Sequence, residues 1–138
     1  MRLSDYVADY IASITGHVFG VCGGGAMYLN DSIAHHPQLK WIATHHEQAA
    51  AFAAEAYARV SNRIGVVHVT AGPGVTNTMT GVACAWADSL PMMVIAGQVD
   101  SSTLMTNTDV RQLGISEVNG ELLMRSITKY SLCVREPE

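Results

Sequence analysis

Residues 44–59, THHEQAAAFAAEAYAR, join the short apolar run Leu39–Ala43 to a stretch dominated by alanine. Alanine is the strongest helix former, and its small side chain lets a helix lie close on a sheet. Thr44 to Val60 therefore predicts a helix that follows a strand. Glu47 falls in its first turn, and two readings compete for its carboxylate. In one, Thr44 and Glu47 make a capping box, each side chain bonding the other's backbone N–H, with the carboxylate exposed. In the other, the carboxylate is buried and aimed into a ligand site at the helix start.

Outward from this segment the chain alternates between helical and extended patterns. Leu3, Tyr6, Val7, Tyr10, Ile11 and Ile14 form one helical stripe, with Ser4 and Asp5 near its start and Gly16 as its stop. His17–Val21 reads as a strand ended by Gly23-Gly24-Gly25, and Ala26–His36 as a helix stopping before Pro37. Ile64–Thr70, IGVVHVT, is apolar enough for a strand buried on both faces. Gly72-Pro73-Gly74 turns the chain into a helix over Val75–Ala87, carrying Met79, Val82, Ala83 and Trp86, and Met92–Ala96 is a fourth strand. Val99–Gly114 is polar and reads as a loop over one edge of the sheet. A short helix over Val118–Arg125 and a strand region over Ile127–Val134 complete the expectation. The fold class is α/β, an open mostly parallel sheet with helices on both faces, in one domain spanning residues 1–138.

Composition narrows the function. The 138 residues are 49% hydrophobic and only 14% charged, with 8 basic against 12 acidic side chains and a net charge of −4. Without a basic stripe, nucleic acid is not an expected partner. No run approaches bilayer length and no signal-peptide plan opens the chain. Cys22, Cys84 and Cys133 are few, odd in number and far apart, which reads as reduced thiols in a cytoplasmic protein. The adjacent pairs His35–His36 and His45–His46 diverge from one another and lack metal-ligand spacing, so no metal site is expected within this chain.

Parallel open sheets bind ligands beyond the carboxyl ends of their strands. Those ends carry Gly20–Gly25, Thr44–Gln48, Thr70–Asn77 and Gly97–Asp100. Gly23, Gly24, Gly25, Gly72 and Gly74 permit close approach of a flat ligand, although ordinary βα turns use the same residues. Neither glycine cluster completes the dinucleotide fingerprint, no Walker lysine is present, and no serine occupies a nucleophile elbow.

Four segments carry a family resemblance: VFGVCGGGAMYLNDSI (18–33), THHEQAAAFAAEAYAR, VTAGPGVTNTMTGVACAWADSLPMMVIAGQ (69–98) and SITKY (126–130). Their combination, HEQ-A-x-x-A-x-x-Y-A-R followed by T-x-G-P-G-x-x-N-x-x-x-G, resembles the N-terminal, pyrimidine-binding domain of thiamine diphosphate-dependent enzymes of the acetolactate synthase-like group. GGGAMYLND, AWADS and RQLG are similar to members found beside polysaccharide-biosynthesis enzymes. The resemblance implies that Glu47 hydrogen-bonds N1′ of the aminopyrimidine and favours the imino tautomer that prepares thiamine diphosphate for attack on a 2-oxo acid. It implies that Thr70, Pro73 and Asn77 line the pyrimidine, with Gly23 and Gly24 in the cofactor-binding turn and Gln112 on the substrate side. A carboxyl exchanging a proton with N1′ calls for a buried, dry setting.

The resemblance also implies Mg2+, held with the diphosphate by a G-D-G…N domain that these residues do not include. Val21 and Cys22 replace the tyrosine and proline common in acetolactate synthases. The central and diphosphate-binding domains and the family's last strand are not represented, so the expectation is a domain truncated at its C-terminus, inactive alone. Its expected partners are a diphosphate-binding domain or chain, a 2-oxo acid and further copies of itself. The alternatives are one subunit of a two-chain 2-oxo acid decarboxylase, or a non-catalytic assembly module that keeps the fold.

Overall fold

A computed structural model describes residues 1–105 and 109–135. Helix α1 spans Leu3–Ile14, strand β1 His17–Gly20, helix α2 Met27–His35, and strand β2 Lys40–Ala43. Helix α3 follows over Glu47–Ser61, strand β3 over Gly65–Val69, helix α4 over Pro73–Ala87, strand β4 over Met92–Ala96 and helix α5 over Gly120–Met124. Single 3-10 turns occupy Gly24–Ala26, Ser101–Thr103 and Arg125–Ile127. The sheet has four strands in the order β2-β1-β3-β4, every pair parallel. Among the described residues it is thus wholly rather than mostly parallel.

Alternation along each strand assigns the two faces. Phe19, Ile42, Val67, Val69 and Val94 pack under the alanines Ala50, Ala51 and Ala54 of α3. Val18, Trp41, Val66, Met93 and Ile95 meet Ala8 and Ile11 of α1 and Ile33 of α2. Every residue of β3 is buried, as expected of a central parallel strand covered on both sides. Helices therefore cover both faces.

Two expectations are corrected. The exposed side of α1 includes Leu3, Tyr6 and Tyr10, while Ser4, Ala8 and Ile11 are buried. The reason is close packing on α2: Ser32 Oγ donates to Ser4 Oγ at 2.9 Å and bonds Asp5 at 2.8 Å, and only small side chains fit that contact. The helix does end as expected at Gly16, with Ile14 its last residue and extended Thr15 its C-cap. Finally, Ile127–Val134 forms no strand. Ile127 ends a 3-10 turn, Ser131 Oγ donates to the Glu121 carbonyl and the Cys133 N–H donates to the Glu121 carboxylate at 3.1 Å. The Glu121 carboxylate on α5 thus takes the Cys133 N–H that a sheet ladder would have used. Between this segment and β4 lies a groove of ≈ 910 Å³ lined by Trp86, Met92, Val94, Met124, Ile127 and Leu132.

Residues 99–105 and 109–114 form the expected loop, and 106–108 lie outside the described residues. Glu117 braces it by accepting from the Met105 N–H at 2.6 Å and the Gly114 N–H at 3.3 Å.

Candidate functional site

The carboxyl ends of β2, β1 and β3 lie side by side, with Ala43 opposite Gly20 and Gly20 opposite His68. From β2 the chain passes through Thr44 into α3, whose N-cap is His46: its Nδ1 accepts from the Gln48 N–H at 3.1 Å. Thr44 lies outside the helix and donates its hydroxyl to the His46 carbonyl at 2.9 Å. The capping box is therefore absent, because the histidine ring has taken over the capping role. Glu47 becomes the first helical residue, its carboxylate free to reach outward at a positive helix end.

That carboxylate meets the next strand-end segment. Asn77 Nδ2 donates to Glu47 Oε2 at 2.8 Å. Asn77 stands on α4, which Pro73 opens at its first position, where a missing N–H is harmless. The preceding Gly72 has φ 63°, and a Cβ there would lie 1.9 Å from the Ser116 carbonyl oxygen. Only glycine satisfies both conditions. Glu47 is half-buried rather than dry. It sits at a helix start on the sheet's edge, where Asn77 covers one oxygen; among the described residues Oε1 takes no hydrogen bond.

Thr70 joins the glycine turn instead. Its Oγ1 accepts from the Gly25 N–H at 3.1 Å, and a Cβ on Gly23 would come within 2.4 Å of the Thr70 side chain. A Cβ on Gly24 would meet nothing within 4 Å, so the turn presents open backbone there. Pro73 is exposed. The structure thus brings Glu47 to Asn77, and Gly23 to Thr70.

Gln112 is not brought to either pair. It is exposed, and its Nε2 donates to the Gly114 carbonyl at 2.7 Å, within its own loop. Among the described residues no cluster of three or more His, Cys, Asp or Glu could hold a metal ion, and no helix is long and apolar enough to cross a membrane. Cys22, Cys84 and Cys133 are free.

Sequence reasoning passed over His46, Glu117 and the buried His68 with its half-buried partner Asn30, bonded at 2.8 Å. The signal for His68 was legible: one polar side chain inside the otherwise apolar run IGVVHVT. Nothing local distinguishes Glu117 from a solvated loop acid.

Comparison with known proteins adds two findings. A family model described as thiamine pyrophosphate enzyme, N-terminal TPP binding domain, matches residues 1–118. The chain is 41% identical over 124 residues to the acetolactate synthase large subunit of Buchnera aphidicola subsp. Schizaphis graminum, covering 88% of this chain and 20% of that protein. It is 41% identical over 122 residues to the mitochondrial acetolactate synthase of Schizosaccharomyces pombe, covering 87% and 17%. The Haemophilus influenzae large subunit is 38% identical over 124 residues, covering 88% and 20%. The chain spans about one fifth of the length of the curated relatives it matches.

Proposed function

Because this chain belongs to the thiamine pyrophosphate enzyme family through its N-terminal TPP binding domain, we propose that its strand ends form the aminopyrimidine half-site of an acetolactate synthase-like enzyme. The residues present fit that group. Glu47 keeps one carboxylate oxygen for a ring nitrogen while Asn77 orients the other. Gly24 leaves open backbone beside the Thr70 turn, where a flat ring can approach.

Thiamine diphosphate, when bound, supplies a thiazolium carbon able to add to the keto group of a 2-oxo acid. Glu47 holds and returns a proton at N1′ of the aminopyrimidine. Asn77 keeps the carboxylate in one orientation, so that little ordering remains to be done when the ring arrives. Thr70 and Gly23–Gly25 form the side wall, and Pro73 places the start of α4. A ring seated against Glu47, which is half-buried, would shield its carboxylate from solvent.

In this proposal the diphosphate and its Mg2+ are held by a diphosphate-binding domain or chain. Further copies of the protein complete the assembly, and the reaction is decarboxylation of a 2-oxo acid with transfer or release of the aldehyde unit. Gln112 belongs on the substrate side only if its loop rearranges. A cytoplasmic location accompanies the reading.

The bond from Asn77 to Glu47 carries the proposal, since it unites two motif residues 30 positions apart. The test is Glu47→Gln in the assembled enzyme, with C2-proton exchange of the cofactor followed by NMR. Exchange should fall roughly 10²–10⁴-fold, the usual worth of a positioned acid–base group, while thermal unfolding is little changed. Unaltered exchange would remove Glu47 from the chemistry and favour the assembly-module alternative.

A further inference from the structure

His68 is the penultimate residue of β3 and has no exposed surface. Its ring makes two polar contacts: Nε2 to Asn30 Oδ1 at 2.8 Å and Nδ1 to the Ile95 carbonyl at 3.2 Å. Trp41 stands edge-on to the ring at 5.4 Å. Asn30, on α2, extends the chain of contacts by donating its Nδ2 to the Gly23 carbonyl at 3.1 Å. The same carbonyl accepts the Ala26 N–H at 3.1 Å, and the Gly25 N–H donates to Thr70.

Counting hydrogens decides how this relay is set. The Ile95 and Gly23 carbonyls at its two ends can only accept. A neutral imidazole carries one N–H, and an amide offers donors on one side alone. Only two of the three contacts can therefore be satisfied at once. The longest, to Ile95, is the one left without a proton. His68 then carries its proton on Nε2, Asn30 turns its oxygen toward the ring, and its NH2 group is committed to Gly23. With the proton on Nδ1 instead, Asn30 would turn round and set its oxygen against the Gly23 carbonyl. That arrangement pushes the turn away.

We propose that His68 is a positioning residue for the glycine turn: through Asn30 it fixes the Gly23 carbonyl and so holds Gly23–Gly25 against Thr70 as the wall of the cofactor site. The turn's dependence on His68 stands on this geometry, and its value to cofactor binding rests on the function proposed above. The relay reaches the site from the sheet interior and touches no reacting atom.

Long-range 1H–15N spectra of the full chain should show the His68 proton on Nε2. In His68→Leu, amide exchange at Gly25 and Ala26 should accelerate about tenfold, the scale of one lost buried hydrogen bond. Calorimetric affinity of the assembled enzyme for thiamine diphosphate with Mg2+ should fall by a similar factor, and His68→Gln, which keeps a donor, should recover both. A proton on Nδ1, or unchanged exchange at Gly25 and Ala26 in His68→Leu, would overturn the proposal. Should that variant not fold, Asn30→Leu cuts the same relay from α2, and unchanged exchange there is equally fatal. A His68-dependent turn in an assembled enzyme that binds no cofactor, its diphosphate-binding domain or chain present, would instead overturn the proposed function and leave the relay standing.

Discussion

Glu47 and Asn77 illustrate how little at the residue scale a motif specifies. The first position of a helix offers a carboxylate a favourable field, but a field does not fix a rotamer. Orientation comes from Asn77, which holds Oε2 at 2.8 Å. Removing the amide in Asn77→Ala leaves the acid in place and frees it to rotate. C2-proton exchange in the assembled enzyme should then fall about tenfold, between wild type and Glu47→Gln, as expected for loss of one charge-assisted hydrogen bond. An exchange rate equal to wild type would show that Asn77 does not orient the acid. His46 is the counterexample: its ring caps α3 where threonine was expected, because the backbone turns one residue pair later than the polar cluster suggests.

At the scale of elements, helix contact distances explain why small residues recur. A Cβ on Gly81 of α4 would lie 2.6 Å from the Ala51 Cβ of α3, and one on Gly65 would lie 2.1 Å from the Ala54 carbonyl oxygen. Gly65→Ala should therefore lower stability by about 1–3 kcal/mol, the usual cost of overpacking, seen as a lower urea midpoint with an unchanged slope. The alanine run at 49–58 announced this close packing plainly. The region after α5 was less legible. Its apolar residues satisfy a strand pattern, yet Glu121 captures the Cys133 N–H. Arg125 and that N–H hold the Glu121 carboxyl below its ordinary range. Glu121→Ala should accelerate amide exchange at Cys133 while leaving β4 unchanged; equal rates would mean the segment is held by packing alone.

For the whole molecule, the buried histidine sets a pH response. Burial pushes the His68 imidazole from 6.5 down to about 4, and its partners Asn30, Trp41 and Ile95 carry no charge. Between those values the unfolded chain binds a proton that the folded chain refuses. The contribution of His68 is complete above pH 6.5 and is lost as the pH falls toward 4. Its full size is on the order of 3 kcal/mol. Chemical denaturation across that window should show the loss in wild type, and His68→Gln should flatten it; parallel curves would contradict the assignment.

Side-chain identity alone determined the order of helices and strands as far as α5, the alanine-packed face, the buried central strand and the motif residues at the strand ends. These follow from spacing along the chain and from volume, which are local properties. Only the tertiary structure decided which motif residues meet. The Glu47–Asn77 bond spans 30 positions and the His68–Asn30 bond 38. The second depends on the strand order β2-β1-β3-β4, which sets β1 beside β3, and the first on the packing of α3 against α4 across the end of β1. It likewise rotated α1 so that serine and alanine, rather than tyrosine, face α2, because the distance between two packed helices selects for size before hydrophobicity.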